Sequence, residues 1–107
     1  ALVSTKEVFG PVVCIYSYTD IEAAFDRANA LDVSFQAAVF TKNLDTALRA
    51  VKRLNGTAVM VNDHTAFRVD WMPFGGAKAS GLGLGGIHHS MEECSNEKMM
   101  VIKSSVL

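Results

Sequence analysis

The sequence predicts an α/β fold: an open parallel sheet in β-α-β-α-β order, followed by a C-terminal strand. Three observations predict it. Short β-branched or apolar runs recur at residues 12–18, 37–41 and 58–62. Two stretches of helical periodicity separate them, each long enough for a crossover. Beyond Asn62 the periodicity stops and glycine takes over.

The elements follow in order. Gly10-Pro11 is a turn signal, and the VVCIYSY run after it has the continuous apolar character of a strand buried on both faces. Thr19-Asp20-Ile21-Glu22 has capping-box spacing, with the Thr19 hydroxyl and the Glu22 carboxylate each able to satisfy a free helix N–H. Ile21, Ala24, Phe25, Ala28 and Leu31 then mark one face of a helix of about three turns. After the AAVFT run a second helix shows Leu44, Ala47, Leu48, Val51 and Leu54 on one stripe. Asp45 sits in its first turn, Arg49, Lys52 and Arg53 near its end, and Gly56 is expected as a left-handed cap. AVMVN is the third strand. Residues 63–86 read as irregular loop with Pro73 and six glycines, 88–93 as a short helix, and 99–102 as one more strand.

The chain has 107 residues, the size of one domain. Ten Lys+Arg against 11 Asp+Glu give a net charge of −1, so composition offers no basic footprint for nucleic acid. Half the residues are hydrophobic, which excludes a disordered chain, yet no run approaches the ~20 apolar residues of a membrane span. Charged residues are 20%, below the ~25% of an ordinary domain, so the chain is apolar for its size. Cys14 and Cys94 are too few for a disulfide framework and read as free, buried thiols, which makes a reducing cytoplasm the expected location. The opening Ala1-Leu2-Val3-Ser4 has no signal-peptide pattern and no initiator Met, as in a chain processed or cut from something longer.

Few residues point to chemistry on their own. Gly81-Leu82-Gly83-Leu84-Gly85-Gly86 satisfies G-x-G-x-x-G, but no strand feeds it and it follows the βαβ units. It reads as a loop that tolerates positive φ, not as a dinucleotide fingerprint. His88 and Glu92 have i, i+4 spacing beside His89, Glu93 and Cys94, but lack the converging pattern of a metal site, so no metal is expected. Cys14, inside an apolar run, reads as core packing and Cys94 as structural. The five methionines read as gap fillers. Long loops in small domains are usually functional or disordered, which singles out His64, Arg68 and Asp70; a surface salt bridge is the ordinary role for the last two.

Two sets of strings go further. Glu7-Val8-Phe9-Gly10-Pro11-Val12 with Ala28-Asn29 resembles the E-x-F-G-P-V…A-N signature of the NAD(P)-dependent aldehyde dehydrogenase superfamily. Ala38-Val39-Phe40-Thr41, Gly56-Thr57-Ala58-Val59-Met60-Val61-Asn62 and Pro73-Phe74-Gly75-Gly76-Ala77-Lys78-Ala79-Ser80-Gly81 resemble its A-V-F-T, G-x-V-x-V-N and P-F-G-G-x-K-x-S-G. Order and spacing agree from Glu7 to about Lys103. One departure is Gly83-Leu84-Gly85-Gly86, where the family often has G-R-E, and it removes a charged pair from the loop.

The resemblance implies the C-terminal part of the catalytic domain of a longer enzyme, with residues 1–98 in that domain and 99–107 a terminal strand or tail related to oligomerisation. It implies no catalytic residue in this chain, because the family's nucleophilic cysteine and general-base glutamate lie upstream and neither Cys14 nor Cys94 matches the nucleophile's motif. Glu7 matches the glutamate holding the nicotinamide-ribose hydroxyls, and a carboxylate suits a vicinal diol because it accepts from both O–H groups. Phe9 matches the aromatic near the nicotinamide ring, and Phe74 the phenylalanine bordering the substrate tunnel. Residues 63–72 match the loop at the tunnel mouth, where His64 and Arg68 are candidates for contact with an anionic group. The implied cofactor is NAD or NADP. The implied partners are a small aldehyde of lactaldehyde or glyceraldehyde-phosphate type, the rest of the parent chain, and further copies in a homodimer or homotetramer. Two other classes stay open at this level: a non-catalytic binding or structural domain on the same scaffold, and a reductase acting on acyl phosphates, against which the P-F-G-G-x-K-x-S-G string argues.

Overall fold

Caps and charge placement start and end the two main helices. The computed structural model describes residues 1–106. Helix α1 (Ile21–Asn29) begins at Asp20, whose carboxylate accepts the Glu22 N–H at 3.0 Å. The expected cap, Thr19, lies one residue early: Asp20 has the extended backbone a cap requires, and its carboxylate takes a free N–H of the first turn. Helix α2 (Leu44–Arg53) begins at Asn43, whose side-chain oxygen accepts the Thr46 N–H at 2.9 Å. Arg53 ties the helices together, reaching Glu22 at 3.0 Å and Asp26 at 2.6 Å. Asn29 adds a second tie, donating to the Arg53 carbonyl at 2.7 Å and accepting the Asn55 N–H at 2.9 Å.

Strands β2 (Gln36–Val39) and β3 (Ala58–Val61) pair in parallel, with Gln36 opposite Ala58 and Val39 opposite Val61, and α2 is the crossover between them. This part of the expected sheet forms. A second pair does not follow from periodicity: β1 (Val33–Ser34) meets β4 (Ala77–Lys78) antiparallel, so the loop read as irregular carries a strand. Helix α3 (Ile87–Glu93) stands where a short helix is expected.

Two expected strands are missing. Residues 12–18 and 99–102 hydrogen-bond to no strand among the described residues, and a strand exists only through its ladder. Ile15 is 88% exposed, and Cys14 and Cys94 are both exposed and free rather than packed in a core. The 12–18 segment is held by Tyr16, whose ring lies 3.6 Å from the Arg27 guanidinium.

The helix stripes are only partly buried. Phe25 and Met60 are buried with Ala47 and Ala50, whereas Leu44 is 71% exposed and Leu48 and Val51 are also in solvent. The α2 face toward β3 is thus lined by alanines. Of the methionines only Met60 fills the core; Met91, Met99 and Met100 are exposed. The radius of gyration is 19.9 Å, against about 13 Å for a compact chain of this length. No helix among the described residues is long and apolar enough to cross a membrane.

Gly56 does not serve as a left-handed cap, since α2 ends on Leu54 in extended conformation. Its glycine answers close approach instead: a Cβ there would lie 3.1 Å from the Ala58 carbonyl and 3.3 Å from that of Phe35. Gly83 (φ 76°) and Gly86 (φ 121°) do adopt left-handed backbone, as expected for that loop.

Candidate functional site

A cleft of about 1230 Å³ lies between the N-terminal segment, the β1–β2 region and the loop before β4. Glu7 and Phe74, far apart in the sequence, line the same cleft. Among the described residues the Glu7 side chain has no ionic or hydrogen-bond partner, so its carboxylate remains free to accept. That chemistry fits a ligand presenting hydroxyl donors, such as a ribose diol.

Phe74 is held from several sides. Its backbone exchanges both hydrogen bonds with Gly85, at 2.9 and 2.6 Å. Its ring stands edge-to-face to Phe35 with centroids 5.0 Å apart. The Arg68 guanidinium sits 4.1 Å from its centroid. The salt bridge expected between Arg68 and Asp70 does not occur among the described residues: Arg68 takes the ring, and the Asp70 carbonyl accepts the Ile87 N–H.

Phe9 and His64 are not brought to this cleft, and Arg68 does not line it but meets its wall residue Phe74. Phe9 is 96% exposed, and His64 faces its neighbour Asp63, Nε2 to Oδ1 at 3.8 Å. His88 pairs with Glu92 at 3.1 Å, and no group of three metal-ligating side chains converges among the described residues.

Several signature residues tie the scaffold together. Lys78 donates from Nζ to the Asn29 and Leu31 carbonyls, at 2.6 and 2.7 Å, capping the C-terminus of α1. Asn62, with left-handed backbone (φ 57°), accepts the Thr41 N–H at 2.8 Å and donates to the Thr41 carbonyl at 2.9 Å. Ser80 Oγ accepts the Ser34 N–H at 3.0 Å. Sequence reasoning passes over Phe35 and Thr57, which support Phe74; an aromatic beside a short strand and a threonine after a glycine carry no signal of their own.

The α/β segment has known counterparts. A model of the aldehyde dehydrogenase family matches residues 1–100, and the chain belongs to that family. A lactaldehyde dehydrogenase of Methanococcus maripaludis is 41% identical over 101 residues, covering 94% of this chain and 22% of that protein. The crystal structure of aldehyde dehydrogenase 21 from Physcomitrella patens, in complex with the reaction product succinate, superposes with a TM-score of 0.82 at 36% identity, covering 87% of this chain and 19% of that one. Glyceraldehyde-3-phosphate dehydrogenase GapN from Methanocaldococcus jannaschii, complexed with NADP, gives 0.69 at 41% identity, covering 73% of this chain and 17% of that one. The chain thus spans about a fifth of the relatives it matches.

Proposed function

We propose that this chain is a segment of an NAD(P)-dependent aldehyde dehydrogenase that oxidises an aldehyde to a carboxylic acid. The observation that carries the reading is Glu7 and Phe74 on one cleft in a chain of this family. The nucleophilic cysteine and the general base lie outside residues 1–107. The cysteine thiolate adds to the aldehyde carbonyl, the adduct loses hydride to leave a thioester, and water cleaves the thioester to acid and free thiol. NAD or NADP supplies the hydride acceptor when bound.

Glu7 accepts from the nicotinamide-ribose hydroxyls and fixes the ring's orientation, a positioning role. Phe9 gives the ring an apolar neighbour once the parent chain covers it. Phe74 borders the aldehyde, and Arg68, with His64 earlier in the same loop, favours small polar or anionic aldehydes. The names of similar proteins support that range: lactaldehyde is polar, glyceraldehyde-3-phosphate and succinate are anionic. Residues 1–98 form part of the catalytic domain, and 99–107, whose last residue Leu107 lies outside the described ones, form a tail that pairs with another subunit in a homodimer or homotetramer.

The test is aldehyde-dependent NAD(P)H formation by the full-length protein, with the thioester trapped on its cysteine. A full-length chain without a family cysteine, or without turnover, would favour a non-catalytic domain on this scaffold.

A further inference from the structure

We propose that Thr57 is a positioning residue for the aldehyde, acting through Phe74; this rests on the reading of Phe74 as a wall of the substrate site. Thr57 sits just before β3 and touches both sides of the aromatic pair. Its N–H donates to the Phe35 carbonyl at 2.7 Å. Its Oγ1 lies 2.8 Å from that same carbonyl and within hydrogen-bonding distance of the Gly75 carbonyl. A hydroxyl has one proton. The Phe35 carbonyl already receives the Thr57 amide and Gly75 is the nearer oxygen, so the hydroxyl proton goes to Gly75.

That bond completes a clamp. Phe74 is tied to Gly85 by two backbone bonds on one side, and Thr57 holds the next residue from the other. Among the described residues it is the only side-chain hydrogen bond onto residues 74–76. The Gly83 carbonyl packs against Gly75 from the glycine-loop side, where an added Cβ would collide with it. One residue therefore sets the backbone of both Phe35 and Gly75, and with it the edge-to-face contact at 5.0 Å that fixes the Phe74 ring. Thr57 touches neither aldehyde nor cofactor in this scheme.

The experiment compares Thr57→Val, Thr57→Ser, Phe74→Leu and the double variant Thr57→Val/Phe74→Leu in the full-length enzyme. Valine keeps the shape and removes the proton, leaving a carbonyl short of its donor. Thr57→Val is expected to raise KM for aldehyde about five- to thirty-fold while kcat and the KM for NAD(P) stay within about two-fold. Thr57→Ser, which retains the hydroxyl, is expected to restore aldehyde KM to within about two-fold. The double variant is expected to be no worse than Phe74→Leu alone, because Thr57 acts through that ring. Equal losses in Thr57→Val and Thr57→Ser, an unchanged Thr57→Val beside an impaired Phe74→Leu, or fully additive losses in the double variant would each overturn the proposal and leave the site standing. An unchanged aldehyde KM in Phe74→Leu would overturn the site reading and Thr57's role with it.

Discussion

Arg68 sits over Phe74, its guanidinium carbon 4.1 Å from the ring centroid, with Phe35 meeting the same ring edge-on. The cation is thereby parked beside the residue proposed to border the aldehyde. A guanidinium on a ring keeps its in-plane N–H donors free for an anion.

Replacing Arg68 by Ala in the full-length enzyme is accordingly expected to raise KM for anionic aldehydes roughly ten-fold or more, consistent with the ~1.5–3 kcal/mol of a charged hydrogen bond. Neutral aldehydes are expected to change little. Steady-state kinetics with one substrate of each kind checks this, and equal effects on both would sink it.

Glu7→Gln keeps the size of the side chain and removes the charge that makes it a strong acceptor of two hydroxyls. The expected result is a higher KM for NAD(P) and slower hydride transfer, by roughly ten-fold. Stopped-flow NAD(P)H formation reads both, and unchanged kcat and cofactor KM would refute the role.

Lys78 has left-handed backbone (φ 54°), a conformation unfavourable for a side chain with a Cβ, and its ammonium bonds two carbonyls at the end of α1. Lys78→Met retains the strained backbone without the bonds and is expected to cost about 1–2 kcal/mol. Lys78→Gly relieves the backbone and is expected to cost less. Thermal inactivation of the two variants side by side decides it; a Gly variant weaker than the Met variant would contradict the capping account.

At Gly76 an added Cβ would lie 2.7 Å from atoms of Ser80, both backbone and side chain. Gly76→Ala is therefore expected to destabilise the enzyme by about 1–3 kcal/mol and to raise aldehyde KM by shifting the neighbouring Phe74. A variant with wild-type Tm and KM would show that the loop yields freely.

Much of this was readable in the residues. Helical spacing with terminal charges located α1 and α2, because a helix is satisfied by hydrogen bonds within its own stretch. The parallel β2–β3 pair followed from the length of the crossover between them. Family strings picked Glu7 and Phe74, which line one cleft. The 12–18 run forms no strand for the opposite reason: its apolar pattern suits one, but no neighbour among the described residues supplies the ladder. Cys14 is exposed for the same cause.

Sequence by itself thus determined what is local: helix position, the charges at the helix ends, the parallel crossover, the glycines at positive φ and the family. It also showed an apolar excess, which the fold leaves on the surface at Ile15, Leu44 and Leu48. Tertiary structure alone decided what depends on distant partners. It put β4 against β1, Arg68 on Phe74 rather than beside Asp70, and the Thr57 hydroxyl on the Gly75 carbonyl. Each of these joins residues whose contact no local periodicity encodes, since strand pairing, ring stacking and a side-chain bond to a remote carbonyl are set by where the backbone brings the two groups together.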